Sequence, residues 1–185
     1  MALVHLVRHA EPAATYADHP DPGLSALGRA QAEAVVARLL PLGGDLLTSP
    51  LRRAVETGEP LAAARGVELV VASAVAEIHS PSSELVARTA WLRTALASRW
   101  GDLDTAQRAW RDAVVARLLA VDGDAVVFTH FVAINVAIGA ATGDDRVVCA
   151  SVGHASVTTF EVVAGAGGRR LELVALGDEQ PTVVR

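Results

Sequence analysis

The stretch ALVHLVRHAEP, Ala2 to Pro12, runs from apolar residues straight into the pair Arg8–His9. Short, β-branched and close to the start of the chain, it reads as a strand and not a helix. A strand that ends on two strongly polar side chains delivers them to one edge of a sheet. In open α/β sheets the ligand sits beyond the carboxyl ends of the strands. The rest of the chain can therefore be searched for strands that end in the same way.

Working outward, LSALGRAQAEAVVARLLPLGG (Leu24–Gly44) has apolar residues at three- and four-residue spacing. It predicts a helix with Ser25 as N-cap, stopped by Pro41, Gly43 and Gly44. DLLTS (Asp45–Ser49) is a second strand, PLRRAVETGEPLAAARG (Pro50–Gly66) a helix with proline at its opening, and VELVV (Val67–Val71) a third strand. Ser82 to Val121 reads as two helices broken at Gly101–Asp104. Within it Trp91, Trp100 and Trp110 are expected to pack between helices. DAVVFTH (Asp124–His130) is a strand with a helix, FVAINVAIGAATG, behind it. The β-branched runs after Arg146 flank a Gly-rich turn and predict a hairpin. The fold class is α/β: a three-layer sandwich with a mostly parallel central sheet, helices on both faces and a C-terminal antiparallel hairpin. With no repeat and no linker in view, residues 1–185 are expected to form a single domain.

Composition removes several function classes. The chain is 51% hydrophobic and 20% charged with net charge −5, so nucleic acid is not an expected partner. All 16 basic residues are arginine, which excludes a Walker loop lysine and Schiff-base chemistry. The single cysteine, Cys149, has Ala155 six residues on, where a cysteine phosphatase needs arginine; it is expected to be a buried small hydrophobe. DGDAV (Asp122–Val126) spells an aspartate-nucleophile signature, but its strand follows the first aspartate instead of preceding it, so it reads as a turn. No HExxH or His-x-His pair is present, and no metal or other cofactor is expected. No basic leader or long apolar run appears, so a cytoplasmic location without a membrane partner is the expectation.

The strand ends converge on one chemistry. Arg8–His9 follows the first strand, Arg52 and Arg53 the second, Glu77 and His79 the third, and His130 the fourth. Arginine forks match phosphate oxygens two at a time and stay cationic. A neutral imidazole can attack phosphorus in line, and a carboxyl group can protonate the departing alkoxide. Positive charge around the equatorial oxygens stabilises the transition state, so the set suits a phosphate ester.

LVRHAE, LSALGRAQA, TSPLRRAVET and VVFTH, in that order over roughly residues 3 to 131, resemble the successive motifs of the histidine phosphatase superfamily, the phosphoglycerate-mutase-like fold. The resemblance implies His9 as nucleophile, Arg8 and Arg53 as phosphate-binding residues, and His130 as the second histidine holding the phosphoryl group. Glu77 resembles the acid that protonates the leaving group, and Thr15 stands where many members have a phosphate-contacting asparagine. The chain departs from the family at Ala10 and Phe131, each in place of a glycine, and in HSPSSE after the Glu77 region. His154 falls where the family often has asparagine, which implies a minor pocket role. Gly28 and Ala32 are expected to let their helix pack closely.

The expected activity is thus metal-independent phosphomonoester hydrolysis through a phosphohistidine on His9, of the histidine acid phosphatase type. The expected partner is a small phosphorylated substrate, with a homodimer as the assembly left open. The alternatives are mutase-type phosphoryl transfer and a catalytically silent phosphate-binding module. The remaining histidines have structural readings: His5 as a satisfied core or edge residue, His19 as loop, and His79 as pocket lining.

Overall fold

A computed structural model describes residues 1–15, 18–82, 84–165 and 167–180. Strand β1 (Ala2–Arg8) lies near the middle of a six-stranded sheet. Around it are β2 (Asp45–Thr48), β3 (Val70–Val71), β4 (Ala125–Thr129), β5 (Val157–Gly165) and β6 (Gly168–Ala175), in the order β3-β2-β4-β1-β5-β6. Strands β1 to β4 pair in parallel, β5 runs antiparallel to β1, and β6 antiparallel to β5. The expected sheet, with its closing hairpin, is the observed one. The third strand is shorter than VELVV suggests: only Val70 and Val71 pair, with Leu47 and Thr48 of β2, at the sheet edge and both exposed.

Alternation along the central strands shows why helices must cover both faces. Val4 and Leu6 of β1 and Val127 of β4 face one apolar cluster, while Val7, Val126 and Phe128 face the other. Every residue of β4 is buried, as a parallel strand covered on both sides requires. On the first face lie α3 (Leu85–Leu96), α4 (Thr105–Leu119) and α5 (Phe131–Thr142). On the second lie α1 (Ala26–Leu39) and α2 (Arg52–Arg65), the latter running through Pro60. Helix α5 is buried from Phe131 to Gly139, so its lack of an amphipathic stripe follows from its central place. Its one polar interior residue, Asn135, accepts the Cys149 and Ala150 N–H groups and donates to the Phe131 carbonyl. Cys149 itself is half-buried, not fully buried. Trp100 packs in the first cluster with its ring 6.1 Å from that of Trp110. Among the described residues, no helix is long and apolar enough to cross a membrane.

Helix α1 is docked by contacts readable in its motif. Ser25 caps it, accepting the Gly28 N–H, while its hydroxyl donates to Glu11. Gln31 accepts the Glu11 N–H, so one turn of helix grips the segment just after His9. A Cβ at Gly28 would stand 2.0 Å from the Glu11 carbonyl oxygen, a distance no side chain can occupy. Gly28→Ala should therefore destabilise the fold by about 1–3 kcal/mol, since backbone must move to admit the methyl. Urea unfolding measures this, and an unchanged midpoint would contradict the packing described.

Candidate functional site

The carboxyl ends of β1 and β4 are brought level by their register, which sets Arg8 opposite Thr129. One residue further, the His9 N–H donates to the Thr129 carbonyl at 2.8 Å, so His9 and His130 leave the sheet side by side. Their ring centroids are 5.1 Å apart with planes inclined at 56°. Both rings are buried.

Each ring is oriented by specific hydrogen bonds. Arg53 Nε donates to His9 Nε2 at 3.2 Å. A guanidinium can only donate, so Nε2 bears the lone pair and Nδ1 the proton, which goes to the Ala10 carbonyl at 2.8 Å. The nitrogen with the free electron pair is thus the one presented to a buried arginine. On the other ring, His130 Nε2 lies 2.7 Å from the Ser49 hydroxyl.

Two arginines enclose the pair. Arg53 projects from the first turn of α2 and is buried, with Asp21 3.7 Å from its Nη1. Thr57, one turn on, accepts the Ala10 N–H and donates to the Arg53 carbonyl, which ties α2 to the His9 segment. Arg8, also buried, donates to the Val152 carbonyl at 2.7 Å and to His154 Nε2 at 3.2 Å. Its guanidinium lies 5.0 Å from the centroid of the Phe131 ring, so the residue that departs from the family glycine supports Arg8 from beneath. Arg52 points elsewhere, paired to Glu56 on the surface.

Glu77 follows a single 3₁₀ turn (Ser73–Val75), with one oxygen accepting the Ile78 N–H at 3.0 Å and the other facing the Val132 N–H at 3.4 Å. It lies within electrostatic reach of Arg53 and Arg8. Thr15 is not brought to the cluster by any described contact, because its hydroxyl donates to Asp18 at 2.5 Å. His79 is exposed, with its backbone carbonyl accepting from Gln107. His5 is buried against the Thr159 hydroxyl, as a satisfied strand residue, and His19 accepts the Asp21 N–H in a surface turn.

The residue that strand-end reasoning places least well is His154. Its ring lies 5.6 Å from that of His9. The loop carrying it holds the end of β1 by two hydrogen bonds: Arg8 N–H donates to the Ser156 carbonyl, and Ala155 N–H to the Arg8 carbonyl. Ala155 adopts φ 54° to make this turn, a left-handed conformation costly for a residue with a Cβ. Among the described residues no cluster of three or more His, Cys, Asp or Glu is placed to hold a metal ion.

Burial and the arginines settle the charge of the site. Burial, with Arg53 beside them, holds His9 and His130 well below the ordinary imidazole range. Burial and Arg8 bring His154 down to about 4. Burial pulls Arg8 down to about 10, leaving it cationic at neutral pH. Burial pushes Glu77 upward against the pull of the Ile78 N–H and Arg53.

A consequence for stability follows with a definite sign. The histidines are neutral when folded, but the unfolded chain protonates them near 6.5, so it binds more protons below that pH. Their contribution is full above 6.5 and is lost as pH falls toward the folded values. Glu77 acts oppositely, adding stability at low pH that is lost as pH rises through its raised value, but it is one group against several. The melting temperature should fall by on the order of 5–10 °C between pH 7.5 and 5. A flat profile over that interval, measured by calorimetry, would contradict neutral buried histidines.

Comparison with known proteins agrees with the fold. The sequence profile described as Histidine phosphatase superfamily (branch 1) matches residues 4–176. No curated protein matches the chain in sequence. Among solved structures, mycobacterial glucosyl-3-phosphoglycerate phosphatase in complex with vanadate (VO3) is 21% identical with a TM-score of 0.74, over 95% of this chain and 99% of that one. A protein called mycobacterial hydrolase 1 is 20% identical with a TM-score of 0.75, over 97% and 100%. Phosphoserine phosphatase from Entamoeba histolytica, in complex with 3-phosphoglyceric acid, is 18% identical with a TM-score of 0.73, over 97% and 98%. At these identities the structural likeness speaks to the fold, and the profile match over nearly the whole length speaks to descent. The chain belongs to the histidine phosphatase superfamily, branch 1.

Proposed function

We propose that this protein hydrolyses small phosphomonoesters through a phosphohistidine on His9, without a metal ion. The observation that carries the reading is the state of His9: its proton is held on Nδ1 by the Ala10 carbonyl, and its Nε2 lone pair points at Arg53. A phosphoryl group entering beside Arg53 would meet a nucleophile already in the reactive tautomer, with no proton to lose first. Arg8 and Arg53 supply the charge for the equatorial oxygens, the role a metal plays elsewhere. The phosphatase names carried by two structural neighbours support the same substrate class.

The sequence of bonds is as follows. His9 Nε2 attacks phosphorus as the bond to the ester oxygen breaks, and Glu77, whose carboxyl burial pushes upward, gives a proton to that oxygen. The carboxylate so formed takes a proton from water, whose oxygen attacks phosphorus and breaks the N–P bond. Inorganic phosphate leaves, with Glu77 protonated again and His9 neutral.

Hydrolysis of an aryl phosphate in the presence of EDTA tests this. Wild-type activity should survive chelation, and His9→Ala should abolish it. No activity in either would favour mutase-type transfer or a silent binding module; activity abolished by EDTA would overturn the reading. Arg53→Ala should cost on the order of 10²–10³ in kcat, as for removal of one strong transition-state donor, and a loss below about threefold would remove Arg53 from that role.

The leaving group gives a separate handle on Glu77. Glu77→Gln should slow hydrolysis of an alkyl phosphate by on the order of 10², because an alkoxide needs a proton to depart. An aryl phosphate with a stable phenolate should be affected far less in the first step. Equal losses in kcat/KM, which reports the first phosphoryl transfer and not the common dephosphorylation, would exclude Glu77 as the general acid.

A further inference from the structure

His130 has one ring nitrogen explained and one not. Nε2 meets the Ser49 hydroxyl at 2.7 Å, whereas Nδ1 is buried and has no hydrogen-bond partner among the described residues. An orphaned buried nitrogen is costly in a closed interior and unremarkable where a ligand completes it. Which of the two nitrogens carries the proton then decides what His130 can do. With hydrogen on Nδ1 it donates to a phosphoryl oxygen; with hydrogen on Nε2 it turns a lone pair toward that anion.

Ser49 decides between these. Its oxygen already accepts the Leu51 N–H at 3.2 Å, at the bend that leads into α2. The hydroxyl proton has no other acceptor among the described residues, so it points at His130 Nε2, which is then the acceptor. In the reverse arrangement the oxygen would accept twice, which its two lone pairs allow, but the hydroxyl proton would be left without an acceptor in a residue that is fully buried. Ser49 is itself fixed, since its N–H donates to the Phe128 carbonyl at 2.9 Å.

We infer that Ser49 is a positioning residue that holds His130 in the Nδ1–H tautomer, so that the second histidine meets the phosphoryl group as a hydrogen-bond donor while remaining neutral. This rests on the phosphohydrolase reading for its purpose, but the tautomer itself can be read with no substrate present. The two histidines would then share one tautomer and offer opposite functions, His9 a lone pair at Nε2 and His130 a proton at Nδ1.

The test uses the full chain labelled with ¹⁵N-histidine, whose long-range ¹H–¹⁵N couplings distinguish the tautomers; His130→Asn assigns the signal. Wild type and Ser49→Thr, which keeps the hydroxyl, should show Nδ1–H at His130, whereas Ser49→Ala should show Nε2–H or a mixture. On an aryl phosphate, Ser49→Ala should lose roughly 10- to 100-fold in kcat with a smaller change in KM, and Ser49→Thr should recover most of it. An Nε2–H signal in the wild type would overturn the assignment, and so would a Ser49→Ala protein that keeps the tautomer or keeps its kcat. If the substituted proteins fail to fold, the wild-type spectrum alone decides the tautomer. If wild type hydrolyses nothing, the phosphatase reading fails while the spectrum still judges Ser49.

Discussion

The parallel pairing of β1 with β4 is the constraint on which the site depends. A shift of one residue in that register would turn every side chain of β1 to the opposite face of the sheet. Val4 and Leu6 would leave one core and Val7 the other, so the register is held by apolar packing on both sides. The chemistry inherits this precision: the two histidines are neighbours because Arg8 stands opposite Thr129. Arg53 and Ser49 come to the same place because β2 lies on the far side of β4, also in parallel register.

Around this frame, identical residue types are given different characters by their partners. Arg8 and Arg53 are buried and face the histidines, whereas Arg52, adjacent in sequence, lies on the surface with Glu56. His5 is neutral because it is enclosed beside Thr159, and takes no part in the cluster. His9 and His130 are held neutral first by burial and then by the two arginine cations beside them. Burial raises the acid and lowers the bases in one small volume, which pushes the groups toward uncharged forms that can exchange protons.

Much of this was legible in the chain. Each strand that ends in a polar residue could be read directly, and Arg8, His9, Arg53 and His130 are gathered where that rule places them. His154 was reached only through the resemblance and escaped the strand-end rule, because it precedes a strand instead of ending one. Strand β5 is antiparallel to β1, so its start lies at the edge where the parallel strands finish. A search of strand ends passes over such a residue; recognising the reversed strand first would have found it. Ser49 and Asp21 were missed for another reason, since a serine and an aspartate near a turn look like local turn chemistry until their partners are known. Thr15 illustrates the converse, for its nearest carboxylate, Asp18, takes its hydroxyl.

The burial of Arg8 and Arg53 bears on how the molecule responds to its surroundings. Two guanidinium groups at 7% and 5% exposure are held close together beside uncharged rings. Their mutual repulsion contributes to the lowering of Arg8. A bound anion would relieve that repulsion in the folded state and nowhere in the unfolded one. By linkage, inorganic phosphate in solution would then shift the folding equilibrium as well as compete for the pocket. The same feature that equips the site to hold a phosphoryl group thus makes phosphate supply a thermodynamic variable of the fold.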